Sequence, residues 1–125
     1  QTKERYIQAL IWNKKYKDAK ALIDKLIEQD PNENWILALR ATLNIYKSDF
    51  NKSVEDYNRI LVNDSSSFDG NLGKANALKA LGYYDFAYQS ANNTLSFYEK
   101  QKDAANFIET LNTSFTPFLE TKGST

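Results

Sequence analysis

An all-α solenoid of paired helices is the fold this sequence predicts, and three observations predict it. An aromatic residue, two variable residues and a small one recur as Tyr16–Ala19, Phe50–Ser53 and Tyr84–Ala87, so the chain repeats every thirty-four residues. A fixed period in this range belongs to stacked helical arrays. Between the repeats, apolar residues fall at helical spacing, as in Leu22, Ile23, Leu26 and Ile27. Two clusters of turn-forming residues, at Asp30-Pro31-Asn32 and at Asn63 to Ser67, occupy corresponding places in successive repeats.

The first helix is expected from Thr2 to Asn13, because Tyr6, Ile7, Leu10 and Ile11 recur on one stripe. Lys14-Lys15 makes a polar turn. A second helix follows from about Lys17 to Gln29, with Ala19, Leu22, Ile23, Leu26 and Ile27 inward. Pro31 ends it, since proline lacks the N–H that a continuing helix needs. Asn34 stands where it would cap a third helix, Trp35 to Tyr46, carrying Ile36, Leu39 and Leu43. After Ser48-Asp49, a fourth helix from about Phe50 to Val62 presents Val54, Tyr57, Ile60 and Leu61.

The third repeat opens at Phe68. Its first helix holds Leu72, Ala75, Leu78 and Leu81, and Gly82 suits the left-handed conformation that closes many helices. Its second helix, about Tyr84 to Lys100, carries Phe86, Ala87, Ala91, Leu95 and Tyr98. A seventh helix, about Asp103 to Asn112, is expected to cover the open face of the last pair. Thr116-Pro117 halts helical continuation, which leaves 114–125 as a tail or linker.

Composition excludes several functions. Sixteen basic and sixteen acidic residues cancel, so no overall field draws the 125-residue chain to nucleic acid or anionic lipid. With no Cys and no His, disulfides, thiol nucleophiles, the usual zinc sets and the commonest acid–base group are all missing. No apolar run reaches the roughly 18 residues of a membrane helix. Ser65-Ser66-Ser67 is the one serine cluster, and a turn between repeats is where serines cap helices. Gly70 and Gly73 lack the downstream Lys and Ser/Thr of a phosphate loop. No catalytic, cofactor or metal residue is expected; a small hydrolase or transferase is the less favoured alternative.

In this register the chain resembles the tetratricopeptide repeat family. Three units fit, at about 1–33, 34–67 and 68–101, with a capping helix at about 102–113, so that 1–113 forms one domain. The family's small residue in each first helix falls on Ile7, Ala41 and Ala75, and its turn aromatic on Tyr16, Phe50 and Tyr84. The small residue opening each second helix matches Ala19, Ser53 and Ala87. The large residue further along matches Ile23 and Tyr57, while Ala91 departs, and the closing proline occurs once, as Pro31. Ile7 is not small, and Lys3, Arg40, Asn71 and Lys74 stand where the family usually has apolar residues.

The resemblance implies a right-handed α-solenoid. It also implies a non-catalytic scaffold that binds a peptide, or a neighbouring domain of a longer chain, in the concave groove of the first helices. Groove-facing residues would be Gln1, Glu4, Gln8, Ile11 and Trp12 in the first unit. The second unit would offer Trp35, Ala38, Thr42, Ile45 and Tyr46, and the third Asp69, Leu72, Asn76 and Lys79. Trp12, Trp35 and Tyr46 stand out, because aromatics dominate binding hot spots.

Family members that grip the acidic tails of heat-shock chaperones use a clamp of Lys, Asn and Arg. The matching positions here hold Glu4, Gln8, Leu39, Asp69 and Gly73, so a chaperone-tail clamp is not expected. The segment from Ser114 to Lys122 is similar to the join between helical repeats and a β-barrel in bacterial outer-membrane export proteins. That second resemblance implies a periplasmic location, against the cytoplasmic one that a free-standing scaffold allows; neither places this segment within a membrane.

Overall fold

The computed structural model of the protein describes residues 2–97 and 109. Among them stand six α-helices and no strand: α1 Thr2–Trp12, α2 Tyr16–Gln29, α3 Asn34–Tyr46, α4 Phe50–Asn63, α5 Phe68–Ala80 and α6 Tyr84–Phe97. Helix starts at Tyr16, Phe50 and Tyr84, and at Asn34 and Phe68, reproduce the thirty-four-residue period. Glu109 is helical, and the rest of the expected seventh helix and the 114–125 tail lie outside the described residues. None of the described helices is long and apolar enough to cross a membrane.

Each helix packs on the next in sequence, and α1 also touches α3, which touches α5. The first helices therefore line up as one row, with α2 and α4 packed behind it. This is an all-α helical-repeat solenoid.

The tight turns share one device. Lys14 (φ 63°), Ser48 (φ 64°) and Gly82 (φ 88°) are all left-handed, each thirty-four residues from the next. The amide after each reaches back five residues: Lys15 N–H to Leu10 O at 2.8 Å, Asp49 N–H to Asn44 O at 2.7 Å and Tyr83 N–H to Leu78 O at 2.9 Å. The left-handed residues themselves donate three residues back, to Ile11, Ile45 and Lys79, so each first helix ends in a Schellman motif. Gly82 was legible as such a cap. Lys14 and Ser48 adopt the conformation without being glycine.

The expected Asn34 cap is corrected. Glu33 takes the N-cap position of α3 without a side-chain hydrogen bond, and Asn34 is already helical. Its Oδ1 instead accepts from Asn63 Nδ2 at 2.7 Å, which ties the start of α3 to the end of α4. Ser67 does cap α5, its hydroxyl accepting from Gly70 N–H at 3.0 Å.

Small residues sit where helices meet. Ala19, Ala41, Ala75, Ala87 and Ala91 are fully buried, as is Ser53, whose hydroxyl donates to Ala41 O at 2.9 Å. Ile7 is buried despite its size, within a core of Leu10, Ile11, Ile23, Ile36 and Leu43. A second core joins Leu37, Ala41, Tyr57 and Ile60, with Ile27 of the preceding repeat packed against it.

Two polar departures from the family pattern find partners inside. Arg40 donates to Asp56 from Nε at 3.1 Å to each oxygen and from Nη2 at 2.8 Å. This fork is part-buried between α3 and α4. Buried Asn71 uses Nδ2 to donate to Ser65 O and Ser67 O, pinning the turn before α5.

Two aromatics expected inside are exposed. Tyr6 precedes by one residue the buried stripe Ile7, Leu10 and Ile11, and Phe86 precedes by one the stripe Ala87, Ser90, Ala91 and Thr94. One residue turns a helix by about 100°, enough to carry each ring off the buried face. Of the turn aromatics, Tyr16 packs against the first core and Phe50 is half-buried, whereas Tyr84 is exposed.

Candidate functional site

The row of first helices presents residues four apart along each helix, and the period aligns them across the row. Glu4, Ala38 and Leu72 form one such line, Gln8, Thr42 and Asn76 the next, and Trp12, Tyr46 and Ala80 a third. At the first two lines the surface opens into a cleft of about 270 Å³. Glu4 and Gln8 of α1 form one wall. The floor is α3, through Trp35, Ala38, Leu39 and Thr42, with Tyr57 of α4 beneath it. The far wall is α5, through Phe68, Asp69, Leu72 and Gly73.

Sequence reasoning is met here unevenly. Gln8, Trp35, Ala38, Thr42 and Leu72 line the cleft. Ile11 does not: it is fully buried, because the i, i+3, i+4 stripe it shares with Ile7 turns toward α2 and α3. Ile45 is half-buried against the second core. Trp12 (63% exposed), Tyr46 (46%) and exposed Asn76 lie on the same helical row beyond the cleft. Of the other positions, Lys79 is half-buried outside the lining and Gln1 lies outside the described residues.

Tyr57 and Phe68 went unforeseen. Tyr57 belongs to a second helix, which the repeat pattern assigns to the outer layer. Gly73 was the available signal: a Cβ there would stand 2.3 Å from Cε1 and Cζ of Tyr57. Only a glycine lets the ring lie against α5 and reach the cleft floor.

Tyr57 is buried beneath the floor, and the walls are acidic. Burial pushes the Tyr57 phenol up to about 12; a hydrogen bond with Thr42 works the other way, and the Asp69 and Asp56 carboxylates add to the rise. Thr42 in turn donates from Oγ1 to Ala38 O at 2.9 Å. Glu4 and Asp69 supply two negative charges, no Lys or Arg lines the cleft, and neither carboxylate forms an ion pair among the described residues. Among those residues no group of three or more His, Cys, Asp or Glu gathers as metal ligands would. An aromatic-floored cleft with polar and charged walls is suited to holding a chain in one orientation.

No family model matches the sequence, and no curated protein sequence matches it. Solved structures do. The Sgt2 TPR domain from Aspergillus fumigatus superposes with a TM-score of 0.83 at 16% identity, over 95% of this chain and 80% of that one. The chain has the fold of a tetratricopeptide repeat domain. The first TPR domain of human RPAP3 gives a TM-score of 0.81 at 16% identity, covering 92% of this chain and 91% of its own. The second, solved in complex with the HSP70 peptide SGPTIEEVD, gives 0.75 at 17% identity, over 88% and 92%. With so few residues in common, what is shared is the fold, the stack of paired helices of a tetratricopeptide domain.

Proposed function

We propose that this protein is a non-catalytic interaction module, built on the 1–113 repeat domain, that binds a peptide segment in the cleft over α3. The observation that carries the reading is the cleft itself. Trp35 packs on the core on one side and lines the opening on the other, which makes it a rigid anchor of the type that dominates hot spots. The RPAP3 domain that holds an HSP70 peptide supports the reading at the level of fold.

The partner differs in charge from that peptide, which ends in Glu-Glu-Val-Asp. Such a tail would bring its carboxylates toward Glu4 and Asp69, and like charges set face to face across an interface are strongly unfavourable. The protein is therefore not a chaperone-tail clamp.

Selection of random dodecapeptides on the immobilised protein, followed by fluorescence anisotropy with a synthesised binder, tests the reading. Trp35→Ala, and Ala38→Gln, which fills the floor with a neutral side chain, should each weaken binding by about tenfold or more with far-UV helicity unchanged. Equal affinity for both variants and the wild type would remove the cleft from the binding surface.

A further inference from the structure

We infer that the segment bound in this cleft is basic: an extended stretch that sets one Lys or Arg against Glu4, another against Asp69, and an apolar side chain between them on Trp35. The inference rests on the peptide-binding reading and adds the chemistry of the ligand.

The charge of the cleft is local. The chain as a whole is neutral, with sixteen charges of each sign, yet the cleft lining carries two carboxylates and no cation. Neither carboxylate is neutralised by an ion pair among the described residues, whereas Lys20–Asp24 and Arg40–Asp56 pair acids with cations outside the cleft. Both acids stand in first turns, Glu4 of α1 and Asp69 of α5, where a carboxylate complements the helix dipole. That explains an acid at a helix start, and Asp18 and Asp85 start α2 and α6 in the same way. What distinguishes Glu4 and Asp69 is that they stand on opposite walls of one concavity floored by an indole and a desolvated phenol.

Those charges are open to an incoming ligand. Asp69 is near enough to Tyr57 for its field to act on the buried phenol. Asp69 is exposed and Glu4 half-buried, so both carboxylates can be reached from solvent. Trp35 offers an apolar face that also attracts a guanidinium.

The spacing follows from the helix row. Packed helices stand roughly 8–10 Å apart, so α1 and α5, separated by α3, are on the order of 16–20 Å apart. An extended peptide rises about 3.3 Å per residue, so basic residues about five apart would reach both walls. Lys and Arg both suit, with Arg favoured for its two-pronged match to a carboxylate.

The selected dodecapeptides decide the matter. Paired Lys or Arg about four to six residues apart, with an apolar or aromatic residue between, is the expected consensus. For a synthesised binder of that pattern, the double variant Glu4→Gln/Asp69→Asn should weaken affinity about tenfold, and raising NaCl from 50 to 500 mM should weaken wild type more than this variant. The charge-reversed protein Glu4→Lys/Asp69→Lys should lose the basic peptide and gain its Lys-to-Glu counterpart.

An acidic or uncharged consensus whose binding still falls with Ala38→Gln would overturn the inference and leave the peptide-binding reading standing. Binding untouched by both Ala38→Gln and Trp35→Ala would overturn the two together.

Discussion

Tyr57 and Gly73 are in contact so close that a Cβ on Gly73 would stand 2.3 Å from the phenol ring. A side chain on an outer-layer helix thus reaches the concave face only because the facing residue of α5 has none. The cleft floor depends on that pair.

Gly73→Ala should therefore destabilise the protein, although alanine is the better helix former. Overpacking costs about 1–3 kcal/mol, and a Cβ at 2.3 Å from the ring puts this site toward the upper end. Set against a propensity gain of about 1 kcal/mol, the net loss is about 1–2 kcal/mol. In a Tyr57→Leu background the clash is gone, and the same substitution should be neutral or stabilising. Urea unfolding of the four proteins of this cycle reads both signs.

Alkaline stability should carry the signature of Tyr57. Its folded-state pKa, raised to about 12 chiefly by burial, exceeds the ordinary value near 10. The neutral phenol's contribution is complete below about pH 10 and is lost as pH rises from there to about 12. Relative to Tyr57→Phe, the wild type should lose on the order of 2 kcal/mol across that window, measured by urea unfolding at fixed ionic strength. Parallel pH profiles for the two proteins would show that the phenol ionises equally in both states.

The Arg40–Asp56 fork replaces an apolar contact that the repeat pattern usually places there. Asp56→Ala strands a guanidinium whose side chain is 33% exposed, so the cost is below that of a fully buried pair, about 2 kcal/mol. The double substitution Arg40→Met/Asp56→Leu should recover most of it, since well-packed apolar residues replace buried pairs with little loss. Thermal melts of the single and double variants give the comparison.

Lys14 and Ser48 hold the left-handed conformation that Gly82 holds without strain. Lys14→Gly and Ser48→Gly should each stabilise the protein by up to about 1 kcal/mol, and Gly82→Ala should destabilise it by about 1 kcal/mol. A Cβ on Gly82 meets nothing within 4 Å, so backbone conformation alone sets that cost. Loss of stability in Lys14→Gly and Ser48→Gly would show that unfolded-state entropy outweighs relief of the turn.

Most of this architecture was legible in the sequence because a period is a global signal. Tyr16, Phe50 and Tyr84 begin second helices as the thirty-four-residue register required, and Gly82 closes α5 in the left-handed form. What escaped was orientation within a helix. Ile11 and Trp12 are neighbours, yet one is fully buried and the other exposed, a difference of one 100° step. Asn34 was legible as a capping residue but not as the partner of Asn63, because a contact across twenty-nine positions leaves no local pattern. Tyr57 was missed in the cleft for the same reason: its route to the surface is set by Gly73, on another helix.

We propose that the concave cleft over α3 is where this protein binds. Titration of the ¹⁵N-labelled protein with a selected dodecapeptide, followed by amide and indole shifts, tests it most directly. Changes should concentrate on the Trp35 indole and the amides of Gln8, Thr42, Leu72 and Gly73. Changes gathered instead around Lys20, Lys47 and Lys52, with Trp35 unmoved, would contradict it.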